Sequence, residues 1–75
     1  MRVQFYDWDA QIPDTQDTPE KFETFGDFFR HFSKIMGWRI KGIILEGAMT
    51  DAFPQKNSKF NFHVEDRKFS CSIMF

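Results

Sequence analysis

The sequence contains a single cysteine, Cys71, and therefore cannot form a disulfide within the chain. Neither of its two histidines has a second histidine or a cysteine at the spacing of a metal site. A domain of 75 residues without such cross-links must be stabilised by packing alone. The lone cysteine also favours a reducing compartment. We expect a small cytoplasmic domain with no metal and no cofactor.

Long apolar runs and a strong net charge are missing as well. No stretch approaches the roughly 18 apolar residues of a membrane-spanning helix, and the first residues lack the apolar centre of a signal peptide. The net charge is −1, whereas domains that capture nucleic acid electrostatically are usually strongly basic. We therefore expect no membrane partner, and nucleic acid is not the favoured ligand.

Phenylalanine is abundant: eleven Phe, two Trp and one Tyr make the chain 19% aromatic. Each of these side chains can bury about 150–250 Å². A dense aromatic core could therefore replace the missing cross-links. Aromatic side chains beyond those needed for the core would form a contact surface for a partner.

The clearest periodicity predicts one amphipathic helix from Pro19 to Met36. Large apolar side chains recur there at intervals of three and four residues, namely Phe22, Phe25, Phe29, Phe32 and Met36. Thr18 is a suitable N-cap, and Glu20 would place negative charge by the helix N-terminus. Gly37 is suited to end the helix in a left-handed conformation.

Strands are predicted on both sides of this helix. Arg2 to Trp8 alternates between polar and apolar residues, which predicts a strand, and the polar stretch Asp9 to Thr18 predicts a loop. Arg39 to Gly47 reads as a second strand, in which the run Ile43 to Leu45 indicates burial on both faces. Ala48 to Asn57 is predicted to be a long loop.

The last segment predicts a β-hairpin. With a turn at Asp66-Arg67, Val64 faces Phe69 and Phe62 faces Cys71, so one face of the hairpin is apolar and the other polar. A longer turn is also compatible with the sequence, because Asp-Arg lacks the glycine that tight hairpins favour.

The predicted fold is α+β, with one amphipathic helix packed on a mostly antiparallel four-stranded sheet in the order β-α-β-β-β. It forms a single domain over residues 1–75.

A ribonuclease-like set of side chains is the only candidate for catalysis. Acid–base cleavage of RNA needs a base, an acid and a cation near the phosphate, and the candidates are Glu46, His63, Glu65 and Arg67. The predicted hairpin separates them, because Arg67 lies in the turn and Glu65 faces Lys68. We therefore expect no enzyme, and a small ribonuclease-like toxin is kept as an alternative.

One part of the sequence resembles a known family. The residues that carry the resemblance are Glu46-Gly47, Phe60, Phe62, Asp66, Cys71 and Met74-Phe75. They are similar to the first three strands of an OB-fold, in particular the N-terminal nucleic-acid-binding domain of the exonuclease VII large subunit, where a helix also precedes the pattern. The similarity covers less than half of the chain, which ends before the further strands of a full barrel. It implies binding of single-stranded nucleic acid as an alternative function.

The favoured interpretation is a non-enzymatic interaction module that binds a protein partner. Aromatic and methionine side chains are enriched at such interfaces, and the predicted contact residues are Tyr6, Trp8, Phe28, Ile35, Phe53 and Met74. Compact domains without catalytic motifs are common among phage and mobile-element inhibitors of host or defence enzymes. The uncharged segment Phe69 to Phe75, as an unprotected edge strand, would also allow a homodimer.

Overall fold

The computed structural model of the chain describes residues 1–19, 21–47 and 50–75. Its elements are β1 (Arg2–Asp7), β2 (Ile12–Asp17), α1 (Phe25–Met36), a short 3-10 helix (Ile40–Gly42), β3 (Ile43–Leu45), β4 (Ser58–Val64) and β5 (Arg67–Met74). The strands form one antiparallel sheet in the order β2-β1-β5-β4-β3. The α+β class is confirmed, with α1 on one face, but the sheet has five strands where four were predicted.

The additional strand is β2, in the segment predicted to be a loop. It pairs with β1 along its whole length, and the pairing continues where the Thr18 N–H donates to the Met1 carbonyl at 2.9 Å. The sequence is polar and contains Pro13, both of which an edge strand tolerates because its outer side needs no pairing. β2 is held to β1 mainly by backbone hydrogen bonds, which a pattern of apolar side chains does not predict.

The helix begins six residues later than predicted. Thr24 is its N-cap, and the Thr24 hydroxyl accepts a hydrogen bond from the Asp27 N–H at 3.0 Å. Thr18, the predicted cap, is instead buried beside the β1–β2 hairpin. The predicted contribution of Glu20 lies outside the described residues, as do the first two residues of the predicted loop from Ala48 to Asn57.

The end of the helix agrees with the prediction. α1 stops at Met36, and Gly37 adopts a left-handed conformation with φ 75° while its N–H donates to the Ser33 carbonyl at 2.8 Å. This turn directs Trp38 back against the sheet, where its ring lies 5.2 Å from that of Phe5. The strand predicted from Arg39 is reduced to three residues, because a 3-10 turn precedes it.

The β4–β5 hairpin has the predicted faces but a different register. Phe62 pairs with Phe69 and Phe60 with Cys71, because the turn lies one residue earlier, with Glu65 in a left-handed conformation at φ 58°. The pairing is thereby shifted by two residues. Since side chains alternate with a period of two, this shift leaves every residue on its predicted face.

The prediction that Phe69 to Phe75 forms an exposed edge is wrong, because β5 lies between β1 and β4. β5, with its inner-facing Phe69, Cys71 and Ile73, thus occupies the centre of the sheet, and the polar β2 and the short β3 lie at its ends. Strands β3, β4 and β5 form an antiparallel meander. In the described part of the chain, however, β2 and β3 do not pair with each other to close a barrel.

The core lies between α1 and the inner face of the sheet. Its buried side chains are Val3, Phe5, Phe22, Phe28, Phe29, Phe32, Phe53, Phe62, Val64, Phe69, Cys71 and Ile73. Phe28 is 0% exposed, and its ring centroid lies 4.8 Å from that of Phe53 and 4.9 Å from that of Phe32. The expectation that Phe28 and Phe53 are spare contact residues is therefore corrected: both are needed to fill the core.

None of the helices in the described ranges is both long and apolar enough to cross a membrane.

We predict that Phe28→Ala lowers the free energy of unfolding by about 3–5 kcal/mol, because it removes a fully buried ring and leaves a cavity. Urea denaturation followed by circular dichroism measures this. The matched control is Ile35→Ala on the same helix, where the side chain is 53% exposed and the change should stay within about 0.5 kcal/mol. Equal losses in the two variants would contradict the assignment of the core.

Candidate functional site

The sheet face opposite α1 carries a mixed polar and aromatic surface. Strand pairing aligns Tyr6, Ser70 and Asn61 in one row across three strands, and Lys68 and His63 in the next row. No helix or strand of the described ranges packs on this side. We call the following residues the outer-face cluster: Tyr6, Trp8, Glu46, Asn61, His63, Lys68 and Ser70.

Trp8 is the largest side chain of the outer-face cluster, and it is held in place although it is 51% exposed. Its backbone N–H donates to the Lys68 carbonyl at 3.0 Å, which continues the β1–β5 pairing. The indole Nε1–H donates to Ser70 Oγ at 2.8 Å, and the Ser70 hydroxyl in turn donates to Asn61 Oδ1 at 2.7 Å. These bonds fix the orientation of the indole ring.

Two further contacts pack against the ring of Trp8. The Lys68 ammonium lies 4.9 Å from a ring centroid of Trp8, within the range of a cation–π interaction. The Tyr6 ring lies edge-on at 6.0 Å. The aromatic part of the cluster is thus held by contacts within the chain.

Glu46 and His63 form the ionisable part of the cluster. Glu46 extends the β3–β4 pairing, with its N–H donating to the Asn61 carbonyl at 3.0 Å. This places Glu46 Oε2 at 2.7 Å from His63 Nε2 and 3.9 Å from Lys68 Nζ. A carboxylate that accepts the Nε2–H of an imidazole leaves Nδ1 as the basic nitrogen. The arrangement therefore presents an imidazole nitrogen as a hydrogen-bond acceptor on a face that also carries the Lys68 ammonium.

The structure brings together only half of the predicted ribonuclease-like set. Glu46 and His63 are in contact, whereas Glu65 faces Arg39 at 4.0 Å and Arg67 pairs with Asp7. The cation beside the Glu46–His63 pair is Lys68, which sequence reasoning had paired with Glu65. The two-residue shift in hairpin register accounts for this change, since it places Lys68 opposite His63.

The predicted contact residues are distributed over three parts of the molecule. Tyr6 and Trp8 lie in the outer-face cluster, and Met74 lies on the same face at the far end of β5, opposite Arg2. Ile35 is exposed on α1, on the other side of the sheet. Phe28 and Phe53 are in the core, as described above.

Sequence reasoning did not predict the exposure of Ile44. The run Ile43 to Leu45 was predicted to be buried on both faces of the sheet, but Ile44 is 65% exposed. The reason is that a single helix covers only one face of the sheet, and Ile44 points to the other. Its pairing with His63 places it beside the outer-face cluster.

Cys71 lies on the opposite, inner face, within the core. Its side chain is buried among apolar residues, and this burial raises the pKa of the thiol far above its usual value. The neutral thiol is therefore the form present in the folded protein.

The described ranges contain no group of three or more His, Cys, Asp or Glu side chains that could hold a metal ion. No family model, curated protein or solved structure matches the chain. Function is therefore inferred from the geometry of the outer-face cluster.

We predict that the raised pKa of Cys71 makes stability depend on pH. An unfolded thiol ionises near pH 8.5, whereas the folded thiol remains neutral. The contribution of the buried thiol to the free energy of unfolding is therefore complete below that pH and is lost as the pH rises above it. Between about pH 7.5 and about pH 9.5 the free energy of unfolding should fall by roughly 1.4 kcal/mol more in the wild type than in Cys71→Ala. Urea denaturation at the two pH values measures the difference, and equal slopes would contradict it.

Proposed function

We propose that the chain is a non-enzymatic interaction module that binds a protein partner through the outer-face cluster. The observation that carries this proposal is the state of Trp8, which is half exposed and yet held by a hydrogen bond, a cation and a neighbouring ring. Tryptophan and tyrosine dominate the binding energy of many protein interfaces. An aromatic side chain that is ordered before binding loses little conformational entropy when the partner arrives.

The surroundings of Trp8 suit the periphery of such an interface. Asn61, His63 and Ser70 offer hydrogen-bonding groups next to the aromatic side chains, as the polar rim of an interface does. The charges on this face are of both signs, with Lys68 beside Glu46 and Arg2 beside Asp17. Such a surface favours a folded protein with complementary polar groups over a uniformly charged polymer. The class of partner that we expect is an enzyme of a host or defence system.

The first test compares Trp8→Ala with Ile35→Ala. Tagged wild-type protein captures the partner from lysate, and the purified pair is then titrated by calorimetry. Loss of a central tryptophan should cost at least about 2 kcal/mol, or roughly 30-fold in affinity. Ile35 has a similar exposed fraction to Trp8 but lies on the helix side, so Ile35→Ala should bind like the wild type. Equal affinity of Trp8→Ala and the wild type would refute the proposal.

A salt titration separates this proposal from the binding of single-stranded nucleic acid. An aromatic protein interface should change little in affinity between about 0.1 M and about 0.5 M salt, because salt screens only the exposed charges at its rim. Binding to phosphates weakens steeply over the same range. A steep loss, together with capture of oligonucleotides, would point to the OB-like alternative.

A second candidate function, a small ribonuclease, is favoured by the contact between Glu46 and His63. With Glu46 holding Nε2–H, His63 Nδ1 would take the proton from a ribose 2′-OH, whose oxygen then attacks the phosphorus. The bond to the 5′ oxygen breaks, that oxygen is protonated from solvent, and a 2′,3′-cyclic phosphate remains. Lys68 would balance the charge of the phosphate.

The ribonuclease candidate is tested with a single-stranded RNA oligonucleotide and mass spectrometry of the products. We expect Glu46→Gln and His63→Ala each to slow cyclic-phosphate formation by at least about 100-fold. Glu65→Gln is the matched control, since this carboxylate faces Arg39 instead of His63, and a DNA oligonucleotide, which lacks the 2′-OH, should stay intact. If the wild type releases no cyclic phosphate, this candidate is excluded.

A further inference from the structure

The two edges of the sheet differ in their protection against pairing with another strand. β2 carries Pro13, Asp14 and Asp17, and both proline and charge discourage the addition of a further strand. β3 has the sequence Ile-Ile-Leu and contains neither. In its composition, β3 is therefore the less protected edge.

On its outer side, the backbone of β3 has groups that no strand of the described ranges pairs with. The Glu65 N–H donates to the Gly42 carbonyl at 2.7 Å, and the Glu46 N–H donates to the Asn61 carbonyl at 3.0 Å, so even-numbered residues of this strand bond to β4. By alternation, the N–H and carbonyl of Leu45 and the carbonyl of Ile43 point away from the sheet. No strand in the described ranges pairs with them.

The side chains of β3 offer apolar surface on both sides of this edge. Ile44 lies on the outer face. Its exposed fraction, 65%, is the highest among the large hydrophobic residues of the described ranges. On the inner side, Ile43 and Leu45 line an open groove of about 250 Å³ together with Ile40 and the first turns of α1. A strand added at this edge would cover apolar atoms on both faces.

We propose that a second copy of the chain pairs antiparallel with β3, with a two-fold axis at Ile44. The two ends of this strand carry opposite charges, because Lys41 precedes it and Asp51 follows it. Arg39 and Glu46, at the same two ends, are already paired within the chain. Antiparallel pairing brings the basic end of each copy to the acidic end of the other, whereas parallel pairing would place like charges together. The edge is thus complementary to itself in charge and in apolar surface, and the Leu45 N–H of each copy can donate to the Ile43 carbonyl of the other.

This dimer joins the two five-stranded sheets into one continuous sheet and does not depend on the proposed function. Ile44 lies in the same cross-strand row as His63, so the two outer-face clusters lie on the same side of the joined sheet and flank the axis. With strands about 4.8 Å apart, the two His63 backbones are separated by about 14 Å. The dimer therefore presents two copies of the cluster to a partner, which raises avidity when both are engaged.

The test is the concentration dependence of molecular mass, measured by sedimentation equilibrium up to about 1 mM protein. The average molecular mass of the wild type should rise with concentration, from the 9.0 kDa of one chain towards twice that value. Ile44→Lys places two charges at the axis and should raise the dissociation constant at least about tenfold. The matched control is Ile12→Lys, an isoleucine of 62% exposure on the other edge strand, which should leave the constant unchanged.

Amide hydrogen exchange gives an independent readout, because the Leu45 amide should exchange more slowly as the wild-type concentration rises and should not respond in Ile44→Lys. A constant monomer mass up to about 1 mM would overturn the proposal. So would a dimer that Ile12→Lys weakens as much as Ile44→Lys does, because that result would place the contact elsewhere.

Discussion

The rest of the structure depends on the packing of phenylalanine rings between α1 and the sheet. Phe28 has no exposed surface and contacts rings from the helix itself and from the loop before β4. Those rings in turn meet the central strands through Phe5 and Phe62. Since the described residues include no disulfide and no metal cluster, the position of the helix is maintained by this aromatic packing and by the caps at its two ends.

A single helix can cover only one face of a five-stranded sheet, and this constraint creates the candidate site. The outer face is left to side chains that must tolerate water, and the polar partners of Trp8 are what keep a large aromatic ring ordered there. The same cause exposes Ile44 at the edge of the sheet. The proposed partner surface and the proposed dimer contact are thus adjacent consequences of one uncovered face.

The accuracy of the sequence predictions depended on the range of the interactions involved. Alternation assigned the faces of the β4–β5 hairpin correctly even though its register was two residues off, because an even shift does not exchange faces. The end of α1 was marked by Gly37, a local signal. Its start was misplaced because Thr18, the predicted cap, directly follows β2 and is buried beside the β1–β2 hairpin, whereas Thr24 caps the helix. β2 itself was missed because backbone bonds leave no side-chain pattern.

The sequence by itself determined the α+β class, the apolar face of the hairpin and the aromatic content of the core, all of which follow from local spacing. Only the tertiary structure decided that β5 is central, that Phe28 and Phe53 are buried, and that Ile44 is exposed. It also decided that Glu46 and His63, which are 17 residues apart, meet at 2.7 Å beside Lys68. The physical reason is that cross-strand neighbours are set by the pairing and register of whole strands, which no single segment encodes.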